Sequence, residues 1–442
     1  MCGKNMPGTA SVLMKIRSKF ANGSFGRNVL IMFTGTALGQ ACSLLLSPIL
    51  TRIYSPELFG VQGFFIALIG ISAVIASLRY EMALPLAGNK EDAANLMAVC
   101  FTSLISLTVI LYGLLALLPQ EWLAYALGSL MPYRFLLPVG FMCVGAYQIM
   151  LGYATLEGVF AIVARTKIYQ GIAGPVSQIA LGLSGAGGWG LMIGYICGQS
   201  AGIFNMLVRL VIKPGDVFSK ITCSGMVKIA RRFAHFPLIS TWSAMINMLG
   251  TNSMLLIMIP AFYSTTIAGF VFLTDRIIGR PLLLISTSIL QVYLGEAAKT
   301  QTADPKAMRR RFLQVTGGQF VIVAIWLLLI NTTAFYFIPV VFGSEWAGAV
   351  IYIHILSICY LPQMTIVPVM HTLQIMEKQG LTAAWEFGRF ILISGGFAAS
   401  YILAFDAWEA ILVYAISQAF AQLVLFVIMY LAIQKLQRLK EI

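Results

Sequence analysis

Apolar runs long enough to cross a bilayer recur from one end of the chain to the other. They lie near 28–50, 60–79, 93–117, 134–155, 168–185, 189–212, 236–259, 266–293, 312–338, 348–373, 380–404 and 409–433. A helix needs about 20 such residues to cross ~30 Å of hydrocarbon, and its internal ladder satisfies the backbone polar groups that lipid cannot. The expected architecture is therefore an all-α polytopic membrane protein of about 12 transmembrane helices. Only 10% of residues are charged against 59% hydrophobic, far from the balance of a soluble domain. The connections are too short for a soluble domain, so function must reside among the helices and their turns.

The formal net charge is +13. In a soluble protein this would raise nucleic acid as a partner; here the charges sit in loops, so no nucleic acid is expected. With the N-terminus placed in the cytoplasm, the inside segments are 1–27, 80–92, 156–167, 213–235, 294–311, 374–379 and 434–442. Lys213, Lys220, Lys228, Arg231 and Arg232 crowd one of them, and Lys299, Lys306, Arg309, Arg310 and Arg311 another. The outside turns hold only Arg52 and Arg134. Such an excess of cations on one side predicts that both termini are cytoplasmic. The first apolar run is too long for a signal-peptide core and reads as a retained helix.

The chain also reads as two copies of one half. An outward span ends near a Pro, a Tyr and a Ser in ILTRIYSPELFG and again in LIMIPAFYSTTIAG. A glycine then opens the next span, Gly60 in the first copy and Gly269, 209 positions on, in the second. Six helices per copy in the same orientation make a parallel repeat about an axis along the membrane normal. The predicted organisation is a basic N-terminal segment (1–27), a six-helix lobe (28–212), a basic linker (213–235), a second six-helix lobe (236–433) and a tail (434–442).

Catalytic signatures are absent. The seven cysteines form no CxxC pair, and His235, His354 and His371 are scattered, so neither a metal site nor a cofactor is expected. There is no phosphate-cradling GxxxxGK[ST], no GxSxG and no HExxH. An enzyme is disfavoured.

What remains is the charge inside the membrane. In AGFVFLTDRIIGRPLLLISTSILQVYLGEAAK, Asp275, Arg276 and Arg280 stand near the middle of a span, followed by Pro281. One such charge costs about 2.5–3.5 kcal/mol even on the lenient insertion scale. Arg276 and Arg280 are four apart, so a regular helix would point both guanidinium groups the same way. Pro281 removes a backbone donor and should kink the helix. A paired cationic face beside a kink predicts a hydrated cavity that takes an anion; the blander alternative is that Asp275 neutralises one arginine inside the bundle. Arg52 reads equally as a snorkelling residue or a cavity-mouth cation. Arg79 and Glu81 read as an interfacial pair, and Glu386 with Arg389, three apart, as a mutually neutralising one. Gln40, Gln148, Gln178, Asn247, Asn252, Gln363 and Gln418 are candidates to line a passage or to bond between helices. Gly190, Gly194, Gly198 and Gly202 form a stripe read as helix packing.

Three stretches carry a family resemblance. GTALGQACSLLLSPILTRIYSPELFGVQGFFIALIGISAVIASLRYEMALPL resembles the opening two helices of bacterial polysaccharide flippases, the Wzx type of the multidrug/oligosaccharidyl-lipid/polysaccharide exporter superfamily. AGFVFLTDRIIGRPLLLISTSILQVYLGEAAK resembles their eighth helix, and VVFGSEWAGA their outside turn between helices 9 and 10. Gly295 stands where many relatives carry Pro. The resemblance implies two six-helix lobes around a central cavity and alternating access in the bacterial inner membrane, carrying a polyprenyl-diphosphate-linked oligosaccharide, such as an O-antigen or capsule unit, from the inner to the outer leaflet. It also implies a diphosphate for Arg276, Arg280 and Arg52 to bind, drive from a proton or sodium gradient or the membrane potential with Asp275 as coupling candidate, and polysaccharide polymerase machinery as a partner. A multidrug-type exporter is the alternative, and a membrane-embedded polymerase or ligase the more distant one.

Overall fold

The computed structural model describes residues 24–208, 220–250, 252–300 and 305–441. The basic segment 1–23, residues 209–219 around the start of the linker, residues 301–304 and Ile442 lie outside the described residues. Among the described residues the chain is helical, with no strand.

The first half runs through α1 (Ser24–Leu45), α2 (Ser47–Ile53), α3 (Pro56–Ala73), α4 (Lys90–Leu117), α5 (Leu136–Leu156), α6 (Phe160–Leu183) and α7 (Gly188–Ser200). A short α8 (Cys223–Arg232) stands at the junction. The second half comprises α9 (Thr241–Leu249), α10 (Asn252–Phe262), α11 (Thr265–Thr274), α12 (Arg280–Thr300), α13 (Pro305–Phe342), α14 (Ala349–Ile366), α15 (Gln379–Ile402) and α16 (Ala407–Glu441).

Local chemistry sets the ends. The Ser55 hydroxyl accepts from the Leu58 N–H with Pro56 in the first turn, and Ser264 does the same for Thr266 at the head of α11. A serine cap thus precedes each helix that carries one of the paired glycines, Gly60 in α3 and Gly269 in α11.

Eight of the described helices are long and apolar enough to cross a membrane. The expected spans 168–185, 189–212, 236–259 and 380–404 are largely helical over their described residues, 209–212 and 251 lying outside these, but fall short of that measure. The first carries Lys167 and Gln170 and starts early, at Phe160. The second breaks at Gly202, whose φ of +84° ends α7. The third is divided between α9 and α10, and the fourth holds Glu386 and Arg389.

Two of the apolar cores each stay within one chain half. One cluster gathers α4 and α5 residues such as Leu104 and Phe141; another gathers α12, α13 and α16 residues such as Tyr293, Phe312 and Met429. The largest joins Leu50, Tyr54 and Phe59 to Phe272, Trp346 and Tyr414 across the seam.

That seam is tight at one end. α3 lies along α11 so closely that a Cβ on Gly60 would come within 1.7 Å of the Thr265 carbonyl oxygen. Trp346, fully buried, packs edge-on to Phe59 with ring centroids 4.9 Å apart and donates its indole N–H to the Thr51 carbonyl at 3.0 Å.

Candidate functional site: a basic cavity between the halves

A cavity of about 380 Å³ opens where α1 faces α12, with α6 and the end of α7 as side walls. Its size falls in the range of small-molecule sites, roughly 300–1,000 Å³. Thr36, Gln40 and Ser43 come from α1, Lys167 and Gln170 from α6, Gln199 from α7, and Arg276, Arg280 and Pro281 from the opposite half.

The helix carrying the arginines is not regular. Between α11 and α12 the segment Asp275–Gly279 is a π-turn, in which the Arg280 N–H reaches the Asp275 carbonyl five residues back. Pro281 has no N–H to offer Ile277, and the loosened turn directly before it accommodates the ring. Residues four apart share a side in this wider turn as in a regular one, and Arg276 and Arg280 both line the cavity. The wider turn also brings residues five apart together, so Arg280 Nε lies 3.6 Å from Asp275 Oδ2. The two arginines face that cavity in different ways.

Arg276 is 7% exposed. Its Nη2 donates to the Ser43 carbonyl at 3.0 Å and to the Ser43 hydroxyl at 2.9 Å, bridging the two halves of the chain. Its Nε–H is buried with no hydrogen-bond partner. Arg280 is the open one: its side chain is 42% exposed, and its guanidinium lies 5.7 Å from the centre of the Phe272 ring. Asp275 also accepts from the Tyr360 hydroxyl at 2.9 Å. Asp275 thus holds Arg280 on one side and α14 on the other.

Lys167 is the cavity residue that sequence reasoning passed over. It was read as the last residue of an inside loop, whereas α6 begins seven residues earlier. Its Nζ sits 4.5 Å from the centre of the Tyr147 ring. α1 and α6 touch through glycines here: a Cβ on Gly171 would meet the Gly39 carbonyl oxygen at 2.1 Å. The Lys–Ile–Tyr–Gln–Gly run 167–171, polar groups three apart ending in a glycine, is the signal that could have exposed it. Gln40, by contrast, was a candidate and lines the cavity; its Oε1 is buried without a partner.

Other candidates lie elsewhere. Arg52 is exposed and donates to the Val340 carbonyl at 3.1 Å, beside the tight end of the seam rather than in the cavity. Gln178 is spent between helices, donating to the Leu191 carbonyl at 3.0 Å. Arg79 and Glu81 stand 3.9 Å apart, but Glu81 is buried and accepts from the Ser77 hydroxyl. Glu386 and Arg389 do not form the mutual pair expected from their spacing. Both reach the end of α9, where Asn247 donates its side-chain amide to Glu386 and its carbonyl accepts from Arg389 at 3.2 Å. Gly250 fits against the Arg389 guanidinium, with 2.9 Å from an added Cβ to Nη2. The Asn247 carbonyl already accepts from the Gly250 N–H at 3.1 Å and takes Arg389 as a second donor.

A bundle of long apolar helices in two halves, packed tightly at one end and parted around a cationic cavity, defines a polytopic membrane protein, and solved structures agree on the fold. The inward-facing conformation of a multidrug resistance MATE family transporter of the MOP superfamily matches with a TM-score of 0.68 at 15% identity, covering 92% of this chain and 96% of that one. The lipid II flippase MurJ in an inward closed conformation matches at 0.67 with 13% identity, covering 93% and 89%. The outward-facing conformation of a MATE family transporter of the MOP superfamily matches at 0.55 with 14% identity, covering 93% and 96%. No curated protein sequence matches the chain. Residues 49–351 match the model of the family described as polysaccharide biosynthesis protein, and the chain belongs to that family.

Proposed function

We propose that this transporter is a flippase for a polyprenyl-diphosphate-linked oligosaccharide, an O-antigen, capsule or similar repeat unit, moving it from the inner to the outer leaflet of the bacterial inner membrane. One observation carries the reading: Arg276 and Arg280 line a cavity at membrane depth, and the carboxylate beside them, Asp275, offsets a single charge. Arginine's planar fork suits phosphate oxygens. A multidrug-type exporter of cations would be served by an acidic cavity, and this lining contains no carboxylate.

The reading assigns direction as well. The cation-rich segments mark the cytoplasmic side, with both termini there, so the Gly60–Gly269 seam closes the outer end and the cavity awaits substrate from within. The better match to an inward-facing than to an outward-facing relative, 0.68 against 0.55, supports this. Alternating access would open the seam and close the inner mouth, driven by a proton or sodium gradient or the membrane potential, and deliver the product to polymerase machinery. Arg52, outside the cavity, is assigned to the outer seal.

Deletion of the gene should cause a lipid-linked saccharide to accumulate on the inner leaflet and polymer export to stop. Complementation by wild type but not by the Arg276→Ala, Arg280→Ala double variant at equal protein level is the expected result. Full export from the double variant would end the reading. Reporter fusions after Lys220 and Lys306 should be active only with a cytoplasmic reporter.

A further inference from the structure

We infer that Lys167 is a third ligand of the carrier's phosphates, and that it makes the cavity selective for a diphosphate over a monophosphate carrier. This rests on the flippase reading above. The two arginines come from one half of the chain; Lys167 faces the same cavity from the other. Its stem has a fixed place, with the ammonium seated over Tyr147. The cavity still contains an unmet donor, since Arg276, 93% buried by its 7% exposure, leaves its Nε–H unpartnered.

Charge decides what such a site takes. Lys167, Arg276 and Arg280 are the charged residues among its lining, and Asp275 offsets one of them through its pairing with Arg280. Two positive charges remain. A diphosphate joining a lipid to a sugar ionises one oxygen on each phosphorus and carries two negative charges. A lipid monophosphate joined to a sugar carries one. The diphosphate neutralises the cavity, while the monophosphate leaves one cation unmatched in a poorly solvated space. Since the cations approach from opposite halves, a bound diphosphate also draws the halves together. The empty cavity resists closure through like-charge repulsion, and the substrate itself removes that resistance.

The test uses the full-length protein in lipid nanodiscs, with geranylgeranyl-diphospho-glucose and geranylgeranyl-phospho-glucose as the diphosphate and monophosphate probes, since these carry two negative charges and one. Wild type should bind the diphosphate at least tenfold more tightly. Lys167→Met keeps the stem over Tyr147 and removes the charge; it should lower diphosphate affinity about tenfold and bring the ratio of the two affinities near one. Lys167→Arg should retain the preference. In wild type, bound diphosphate should shield Lys167 from an amine-acylating reagent, read by peptide mass spectrometry, which keeps the inference testable should Lys167→Met not fold. An unchanged ratio in Lys167→Met, or undiminished acylation of Lys167 under saturating diphosphate, overturns the role of Lys167. If Arg280→Gln still weakens binding in that case, the flippase reading survives. Wild type that prefers neither probe overturns both.

Discussion

Gly60 and Gly269, 209 positions apart in the sequence, lie against each other across the seam. A Cβ on Gly60 would stand 1.7 Å from the Thr265 carbonyl oxygen, and one on Gly269 would stand 1.9 Å from that of Pro56. Each glycine therefore directs a Cα hydrogen at a carbonyl of the opposite half, a reciprocal weak contact that holds two helix starts together. A methyl group at either place meets backbone, which cannot rotate aside.

Gly60→Ala or Gly269→Ala should consequently loosen the seam. Overpacking of this kind costs about 1–3 kcal/mol. The expected result is a lower thermal midpoint in detergent and faster labelling of a cysteine placed at position 51. Unchanged stability together with unchanged labelling would show that the helices separate freely.

Arg276 and Arg280 should differ in their response to lysine. Arg276→Lys cannot reproduce both the Ser43 contacts and a phosphate contact, so it should reduce export and also destabilise the sealed state. Arg280→Lys should reduce export alone. Each charged hydrogen bond lost is worth roughly 1.5–3 kcal/mol. Export per folded molecule, measured beside thermal stability, separates the two; identical profiles would refute the division of labour.

Asp275 sits between Arg280 at 3.6 Å and the Tyr360 hydroxyl at 2.9 Å. If it carries the coupling proton, Asp275→Asn freezes it in the uncharged condition. Transport in proteoliposomes should then lose its dependence on an imposed pH gradient, while affinity for a lipid diphosphate holds or rises because a competing negative charge is gone. Wild-type gradient dependence would leave Asp275 a structural counter-ion.

The α7 stripe packs on α6. A Cβ on Gly198 would stand 2.8 Å from the Gly174 Cα, and one on Gly194 would stand 2.4 Å from the Gln178 Cγ. Gly198→Leu should therefore deplete folded protein in the membrane, seen by fluorescence-detected size exclusion. Normal amounts of protein with selective loss of export would move the stripe from packing to function.

The parts of this molecule legible in its sequence are those written in composition and period. Apolar runs announced the helices, and Asp275, Arg276 and Arg280 stood out because charge is rare at that depth. The stripe on α7 read correctly as packing, but one helix's pattern does not name its partner, and Gly174 emerged only in three dimensions. Lys167 was missed because a charge within a turn of a span's end looks like a loop residue. The end of α3 was missed for a different reason. It stops at Ala73 rather than near 79, and Leu78 and Arg79 take φ of +51° and +64°, a left-handed backbone that such side chains seldom signal. Glu386 and Arg389 misled because spacing reveals who can meet along a helix and nothing of competitors from a neighbouring one.

The π-turn at Asp275–Gly279 bears on how a helix like this varies by descent. One additional residue in a turn rotates everything beyond it by about 100°. In an unbroken helix Arg280, eleven positions after Gly269, would fall back onto the stripe that faces the seam. Loss of a single isoleucine from Ile277–Ile278 would leave every charge in the stretch present, its hydropathy almost untouched and its resemblance to relatives intact. It would also close the turn to a regular one, in which Arg280 follows Asp275 by four positions and still points toward it and the cavity. An alignment would register that event as one small gap. In this helix the number of residues and the direction they point are inherited separately, and a relative can change the first while keeping the second.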